Sequence, residues 1–321
     1  MEVMSAASFL GMWLCGILEQ RFHHTKKTYI TNEEWKGLVI LGAKTGQLGN
    51  RLFHYAHWLV NSWEYGYTLY NPSFDEYGAY FARESIYEMK RGILSLWWFR
   101  QVILFLTRVV FKCMALRGMK QVGNSWLRFY RLGEGEECNL RDLDFVRLRE
   151  STKCLVVQGW LYRDPVSLQR YGDEVRQFFR ILPTHEKHVI ALIGKIRAGD
   201  HKSRIGLHIR RGDYKDFLGG AYYYTNEQYC EVMRKVKEYF RRKEIRWLIC
   251  SNEPVDREAF SAFDIILGNG QIVEDMYGFA ACDYIVGPPS TYTGWAAFYG
   301  KKPIHYIEKI TGEIRFREID G

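Results

Sequence analysis

The second half of the chain alternates short apolar runs with longer amphipathic stretches. The apolar runs predict strands, and the stretches from His185 to about Ala198 and from Asn226 to Arg242 have helical spacing. The predicted strands are the apolar run that begins at Ile205 and residues 245–250, 264–267 and 283–286. Strands that alternate with helices predict a parallel sheet with helices on its faces. This half therefore predicts a Rossmann-like α/β domain.

The first half shows the same pattern more weakly. Trp35 to Leu41 predicts a buried strand, a Gly-rich loop follows at 42–49, and helical spacing then begins at Leu52. Residues 65–90 predict loops with short elements. A second strand is predicted at 153–158, and a helix at 174–182 ends before Pro183. We therefore expect an extension at 1–34, a first Rossmann-like domain at 35–183 and a second at 184–321.

Residues 93–119 form the most apolar segment, and they carry cations at one side only. On a helical wheel Arg100, Arg108 and Lys112 share an arc of roughly 120° with Gln101, and Trp, Phe and aliphatic residues fill the rest. Cations within the segment make it a poor membrane-spanning helix. Two interpretations remain open: an interfacial helix lying on an anionic membrane, or a core helix whose cations extend to water.

Net charge and cysteine content indicate which partners and which cellular compartment to expect. The formal net charge of +8 favours anionic partners such as sugar nucleotides or acidic lipids, and we find no nucleic-acid-binding module. The seven cysteines are scattered without a CxxC pair, so we expect core thiols in a reducing cytosol. The apolar run 4–18 lacks the marks of a signal peptide and is short for a membrane span. A cytoplasmic protein is expected, with contact at the inner face of the membrane as an open alternative.

One predicted strand ends in a group of charged side chains. The segment 205–214 reads IGLHIRRGDY, so His208, Arg210, Arg211 and Asp213 lie where a strand gives way to a loop. Adjacent strand residues point to opposite faces, so one arginine should face ligand and the other the scaffold. Arginine's planar fork suits phosphate, which predicts a diphosphate-bearing substrate. A surface ion pair at a strand end is the alternative.

Two more predicted strand ends carry polar loops, with Ser251 and Asn252 after one and Ser290 and Thr291 after the other. In a parallel sheet these loops open on the same edge. Ser290 follows Pro288-Pro289 and is a candidate helix N-cap, where free N–H groups would meet phosphate. Asp275 is either a ligand for a base or ribose or a cap of its own helix.

A metal site is not expected. Asp142 and Asp144 form a DxD sequence, which metal-dependent glycosyltransferases use, but they lie in the charged amphipathic stretch NLRDLDFVRLRE. A solvated helix face is the better interpretation of that stretch. We predict that neither a metal nor a cofactor is needed.

Three stretches together resemble a known family. The string HIRRGDY at 208–214 resembles the HxRRGDY signature of GDP-fucose-dependent fucosyltransferases, specifically the α1,2 branch, glycosyltransferase family 11. GQLGNRLF at 46–53 and GPPSTYTGWAAF at 287–298 match in the same order. In the second of these, the family has a serine-rich run that ends in tryptophans, so acceptor and linkage are less defined than the nucleotide chemistry.

The resemblance implies a GT-B architecture, two Rossmann-like domains facing a cleft. The implied reaction is inverting transfer of L-fucose from GDP-β-L-fucose to O2 of a galactose-type residue on a glycan or glycolipid. Arg210 matches the diphosphate ligand of more distant fucosyltransferases, while Gly46, Gly49 and Asn50 fall on the acceptor side. The residues predicted to bind the donor are Arg210, Arg211, Ser251, Asn252, Asp275, Ser290 and Thr291.

The roles expected for the remaining residues follow from the chemistry of sugar transfer. Charge that grows on the leaving diphosphate can be stabilised by a fixed guanidinium and by helix-end N–H groups. Asp213 is the nearest candidate base for the acceptor hydroxyl, although an ion pair with Arg210 or Arg211 explains it equally well. The predicted catalytic set is Arg210, Asp213 and His208, with His208 expected to orient the loop through a ring nitrogen. Two other functions stay open: transfer from another nucleotide sugar, and non-catalytic binding of lipid or nucleic acid.

Overall fold

The structure, a computed structural model, describes residues 37–82, 97–199, 203–241 and 244–319. The predicted N-terminal extension at 1–34 therefore lies outside the described residues, as do Trp35 and Lys36 of the first predicted strand. The described chain divides into two compact units between Phe179 and Arg180. The second unit begins shortly before Pro183, the predicted boundary residue.

The N-terminal unit is an α/β layer built on a five-stranded sheet in the order β2-β1-β6-β4-β3. All neighbours are parallel except β3, which pairs antiparallel with β4 at the edge. β5 and β7 form a separate parallel pair. The strands are β1 Leu38–Leu41, β2 Thr68–Tyr70, β3 Gln121–Gly123, β4 Leu127–Arg131, β5 Cys138–Asn139, β6 Cys154–Gln158 and β7 Tyr162–Arg163. The helices are α1 Leu48–Tyr65, α2 Trp97–Leu116, α3 Leu143–Glu150, α4 Pro165–Arg170 and α5 Gly172–Phe178.

Helix α2, the described helix of the segment 93–119, packs one face into the core as the core interpretation predicts, and the interfacial interpretation stays a prediction. Phe99, Ile103 and Phe111 are buried against β1, β4 and β6 as part of one apolar core. The Thr107 hydroxyl donates to the carbonyl oxygen of Gly42 at 2.6 Å and fastens the helix to the loop after β1. The outer face is exposed and apolar. Within the described part of the chain, no helix combines the length and hydropathy required to cross a bilayer.

The C-terminal unit is a fully parallel five-stranded sheet in the order β10-β9-β8-β11-β12. Its strands are β8 Ser203–Ile209, β9 Ile245–Ser251, β10 Asp264–Leu267, β11 Tyr284–Gly287 and β12 Ile304–Tyr306. Its helices are α6 Pro183–Arg197, α7 Asn226–Tyr239, α8 Ile272–Ala280 and α9 Thr291–Gly300. Both units are therefore Rossmann-like, and the predicted α/β class is confirmed.

The core of the C-terminal unit explains why its strands read as continuous apolar runs. Parallel strands covered on both faces bury nearly every side chain. Trp247 in the middle of β9 is 1% exposed and packs with Tyr229 and Val232 of α7. Gly206 has no room for a side chain, because a Cβ atom there would lie 2.4 Å from the Phe279 ring of α8.

The cysteines behave as predicted among the described residues. Cys138, Cys154, Cys230, Cys250 and Cys282 are buried, Cys113 is half-buried, and none of these six is in a disulfide. Burial raises the pKa of the Cys282 thiol to about 12, so that thiol stays protonated at neutral pH.

Candidate functional site

The strand order of the C-terminal unit contains a topological switch point. The chain moves from β8 through α7 to β9 on one side, and from β11 through α9 to β12 on the other. Ligands of open α/β sheets bind outside the carboxyl ends of the strands at such a point. β8 and β11 are direct neighbours, with Leu207 in register with Val286. The loops that follow these two strands carry Arg210 and Ser290, so the sequence-predicted loops do flank the switch point.

Arg210 follows directly after β8 and is held on three sides. Its Nε donates to Asp213 Oδ1 at 3.2 Å and its second terminal nitrogen to Asp213 Oδ2 at 2.6 Å. The guanidinium carbon lies 4.9 Å from the centre of the Tyr214 ring. The backbone N–H of Arg210 donates to the Tyr229 hydroxyl at 3.2 Å. A two-pronged carboxylate contact on an aromatic face fixes the orientation of the guanidinium fork.

Arg211 points into the scaffold. Its Nε donates to the carbonyl oxygen of Tyr224 at 3.1 Å, and a terminal nitrogen donates to Asn226 Oδ1 at 2.5 Å at the start of α7. Because β8 ends at Ile209, strand alternation itself does not separate the two arginines. The expected division of directions is nevertheless present: one guanidinium lies beside the loop carboxylate and the other anchors α7. Donor contact by Arg211 stays a prediction.

The loops after β8 and β9 are joined by hydrogen bonds that extend the sheet. Asn252 Oδ1 accepts from the backbone N–H of Arg211 at 2.9 Å, and Asn252 Nδ2 donates to the carbonyl oxygen of Arg211 at 3.1 Å. The N–H of Gly212 donates to Glu253 Oε1 at 3.0 Å. Ser251 Oγ accepts from the N–H of Glu253 at 3.1 Å. In the described structure Ser251 and Asn252 therefore shape the arginine loop.

Ser290 is the N-cap of α9, as the sequence predicts. Its Oγ accepts from the N–H of Tyr292 at 3.1 Å, and Thr291 is the first helical residue. The Tyr214 hydroxyl donates to the carbonyl oxygen of Pro289 at 2.7 Å, which ties this N-terminus to the loop that carries Arg210. The first-turn N–H groups of a helix favour a negative charge. The guanidinium and the helix end thus belong to one connected group of loops.

His208 is buried beneath these loops. It is 5% exposed, and its ring centre lies 5.0 Å from that of Tyr292 and 6.0 Å from that of Phe279. Burial lowers the pKa of His208 to about 3, and the positive charge of Arg210 adds to the shift. A neutral ring packed between aromatic rings supports the site from below. Its Nδ1 has no hydrogen-bond partner among the described residues, so orientation of the loop through a ring nitrogen stays a prediction.

Asp275 supports the loop after β10. Its two oxygens accept from the backbone N–H groups of Asn269 at 2.7 Å and Gly270 at 3.2 Å. The N-cap of α8 is Gln271, whose side chain accepts from Val273 and Glu274, so Asp275 does not cap its own helix. Burial raises the pKa of Asp275 to about 6. Contact with a base or ribose stays a prediction.

The DxD sequence has a local structural explanation. Asp142 is the N-cap of α3, and its Oδ1 accepts from the N–H of Asp144 at 2.9 Å and of Phe145 at 3.4 Å. The Asp144 side chain is 91% exposed and lies 3.4 Å from Arg147. This is the solvated helix face that the charge pattern predicts.

In the N-terminal unit, the Gly-rich loop forms a tight turn into α1. Gly46 has a φ of +56°, a conformation that favours glycine, and a Cβ atom there would lie 2.2 Å from Asn50 Nδ2. Gly49 and Asn50 are in the first turn of α1, with Gly49 buried. These positions shape the loop at the carboxyl end of β1. Their acceptor role stays a prediction.

Arg51, in the first turn of α1, has no role in the sequence-based predictions. It is 8% exposed, and its Nε donates to the carbonyl oxygen of Gly46 at 3.0 Å. A terminal nitrogen donates to Glu76 Oε2 at 2.8 Å, while Lys44 lies 2.5 Å from Glu76 Oε1. Arg51 is part of the motif at 46–53, but Glu76 lies in a segment without periodicity, so the sequence offers no signal for the pair.

Comparison with known proteins gives matches in structure only. No protein-family model matches the chain, and no curated protein matches its sequence. A mutant of Arabidopsis thaliana FUT1 in complex with GDP has a TM-score of 0.56 at 14% identity, over 87% of this chain and 71% of that one. Fucosyltransferase NodZ from Bradyrhizobium has a TM-score of 0.55 at 16% identity, over 89% and 99%. NodZ alpha-1,6-fucosyltransferase soaked with GDP-fucose has a TM-score of 0.52 at 15% identity, over 88% and 99%.

These matches concern the fold. Identities of 14% to 16% are too low to carry substrate or linkage from one protein to another, because one fold hosts many functions. They do extend over most of the chain and include both units. The chain has the GT-B type of fold that these fucosyltransferases have.

Proposed function

We propose that this protein is an inverting fucosyltransferase that moves L-fucose from GDP-β-L-fucose to a sugar hydroxyl, O2 of a galactose-type residue. The observation that carries the proposal is the guanidinium of Arg210, held in a fixed orientation at the switch point and joined through Tyr214 to the N-terminus of α9. Structural similarity to proteins crystallised with GDP and GDP-fucose supports the choice of donor.

The proposed mechanism depends on the negative charge that develops on the leaving GDP. When the bond between fucose C1 and the phosphate oxygen breaks, its electron pair goes to GDP, and negative charge grows on the diphosphate. A preoriented guanidinium and helix-end N–H groups stabilise this charge more strongly in the transition state than before bond cleavage. We assign that role to Arg210 together with Ser290 and Thr291. Arg211 and Asn252 contribute by holding the loop, and Ser251 and Asp275 are proposed to border the nucleoside.

Asp213 has two successive roles in this proposal. Its carboxylate occupies the same two-pronged position on Arg210 that a phosphate group would take. When the donor diphosphate binds the fork, the carboxylate is released from part of that contact. It then accepts the proton of the acceptor hydroxyl as the hydroxyl oxygen forms its bond to C1. The Gly-rich turn with Gly46, Gly49 and Asn50 is proposed to contact the acceptor glycan or glycolipid.

A donor screen tests this function against its alternatives. We expect GDP release from GDP-fucose on addition of a galactose-terminated acceptor, and less from other GDP-sugars and UDP-sugars. Faster turnover of another nucleotide sugar would replace fucose while keeping the enzyme class. No turnover of any donor, with lipid or nucleic acid bound, would favour a non-catalytic binding protein.

Turnover is predicted to be independent of divalent metal, because the positive charge at the diphosphate is supplied by Arg210. We expect the same rate of GDP release with excess EDTA as without it, at a temperature well below unfolding. Loss of activity in EDTA with recovery in Mn²⁺ would contradict this assignment and return attention to Asp142 and Asp144.

The outer face of α2 favours an additional contact with an anionic membrane. Apolar side chains exposed at this face recur every three or four residues from 98 to 109 and again two turns later, and they form one stripe along the helix. They are Trp98, Val102, Phe105, Val109 and Leu116, with Phe105 64% and Leu116 79% exposed. Arg108 and Lys112 are exposed beside this stripe. Apolar and aromatic residues flanked by cations have the chemistry of an interfacial helix, so we propose peripheral binding at the inner membrane face.

Reversing the exposed charges of α2 should weaken this binding. Each basic residue near an anionic surface contributes about 1 kcal/mol, so Arg108→Glu with Lys112→Glu should reduce partitioning onto phosphatidylserine vesicles at least roughly 30-fold. The matched control is Arg234→Glu with Lys237→Glu, two exposed positions of α7 in the other unit. Equal vesicle binding by both folded variants, or none by the parent protein, would contradict the membrane proposal.

A further inference from the structure

Two helices of the C-terminal unit bring together three side chains that ligate metals. His185 and His188 are one turn apart near the start of α6, and Glu274 is in the first turn of α8. The Nδ1 atoms of both imidazoles face the same carboxylate oxygen, Glu274 Oε1, at 2.9 Å and 2.7 Å. Their ligand atoms all lie within 4.8 Å of one another. In the described residues this is the one group of such residues with that spacing.

A hydrogen bond fixes the orientation of the Glu274 carboxylate. Glu274 is 4% exposed, and its other oxygen, Oε2, accepts from Asn269 Nδ2 at 3.0 Å. Metal-binding carboxylates are commonly fixed in this way, with one oxygen bound by a neighbouring donor and the other directed at the ion. A buried carboxylate is costly unless opposite charge or hydrogen-bond donors compensate for it.

The surroundings leave space for an ion and its remaining ligand. A surface cavity of about 340 Å³ adjoins the group and is lined by His188, Ala191, Leu192, Lys195, Asn269 and Glu274. The His188 side chain is 63% exposed, so an ion bound there would keep a coordination position open to water.

We propose that His185, His188 and Glu274 bind one divalent metal ion of the zinc type. Two imidazole nitrogens and one carboxylate oxygen are ligands that Zn²⁺ prefers, whereas Mg²⁺ and Ca²⁺ prefer oxygen alone. The ion replaces the two hydrogen bonds to Oε1 and links α6 to α8. Both helix N-termini lie toward the carboxyl edge of the sheet, because α6 leads into the start of β8 and α8 follows β10.

The metal would act as a structural clamp near the donor edge. Glu274 is followed in α8 by Asp275, which binds the N–H groups of Asn269 and Gly270 in the loop after β10. Fixing the first turn of α8 to α6 therefore also fixes this loop. The proposal does not depend on the transferase reaction, since the ion takes no part in bond cleavage.

Metal titration of the full chain tests the site. After EDTA treatment and dialysis, we expect one Zn²⁺ per chain by calorimetry, an increase in melting temperature with Zn²⁺, and no response to Mg²⁺. His188→Ala removes an exposed ligand without disturbing the core, and it should weaken Zn²⁺ binding at least 10-fold and abolish the thermal shift. Asn269→Ala, which removes only the residue that positions Glu274, should weaken binding by about 10-fold.

Control variants distinguish zinc binding at this site from zinc binding at cysteines or at other histidines of the chain. Replacing the adjacent pair His23 and His24 by alanine, or Cys113 by serine, should leave Zn²⁺ affinity unchanged. Glu274→Gln serves as a second ligand variant, with folding checked by circular dichroism. Equal Zn²⁺ affinity in the parent and His188→Ala proteins, or no stoichiometric binding by the parent, would overturn the proposal.

Discussion

Replacing Arg210 by alanine should lower kcat by on the order of 10² to 10³. Removal of one fixed donor to a developing negative charge costs about 2.7–4 kcal/mol of transition-state stabilisation. Arg210 is placed for this role by a two-pronged contact with Asp213 and by the face of Tyr214. Arg210→Lys should recover little activity, because an ammonium group on a flexible stem cannot make the planar two-pronged contact. Steady-state GDP release from GDP-fucose measures both effects.

Arg211→Ala is the matched control, one residue away with the same charge change. Its guanidinium holds the carbonyl of Tyr224 and the side chain of Asn226, so its loss should reduce stability more than turnover. We expect a smaller decrease in kcat than for Arg210→Ala. A larger loss of turnover in Arg211→Ala, with both proteins folded, would transfer the phosphate role to Arg211.

Acidification should destabilise the protein strongly, because three buried histidines resist protonation. Burial lowers the pKa of His54, His57 and His208 to about 3 in each case, with nearby arginine charges adding to the shift. Near pH 5 the folded state keeps these rings neutral while the unfolded chain, with a histidine pKa of about 6.5, binds protons. The stability contribution is thus present above pH 6.5 and is lost as pH falls toward 3. Each histidine should cost about 2 kcal/mol between pH 7.5 and pH 5.

Guanidinium unfolding at the two pH values measures this loss, about 6 kcal/mol for the three rings, from which the raised pKa of Asp275 subtracts about 1 kcal/mol. His54→Phe provides the specific test, since Nδ1 of His54 has no hydrogen-bond partner among the described residues and the ring lies 6.0 Å from the Tyr162 ring. This variant should lose about 2 kcal/mol less than the parent over the same pH interval. The same pH dependence in variant and parent would show that His54 takes up no proton on unfolding.

The periodicity of the sequence predicted the C-terminal unit better than the N-terminal one. Strands buried on both faces are continuous apolar runs, so β9 and β10 were found at nearly the observed bounds. β2 was missed, because Thr68–Tyr70 is three residues long and lies in a region of aromatic and polar residues without a period. The helix predicted at 174–182 ends at Phe178, since the chain leaves it before Pro183 starts α6.

The residues of the candidate site also differ in how well the sequence predicted them. Local signals were sufficient where a side chain acts beside its own strand or helix, as for Arg210 after β8 and Ser290 at the start of α9. Contacts between residues far apart in the sequence have no local sequence pattern that would predict them. Asn252, after β9, contacts the backbone of Arg211, after the neighbouring β8, and His185 of α6 contacts Glu274 of α8. Such pairs depend on the strand order, which a pattern of apolar residues does not determine.

The crystal structure of the protein with GDP bound tests the central claim most directly. Our account predicts that both phosphates lie at the carboxyl end of β8 and β11, with the Arg210 guanidinium donating two hydrogen bonds to the diphosphate and the first N–H groups of α9 nearby. It also predicts that Arg211 keeps its contacts with Tyr224 and Asn226. Phosphates bound away from this switch point, or held by Arg211 while Arg210 stays on Asp213, would contradict the account.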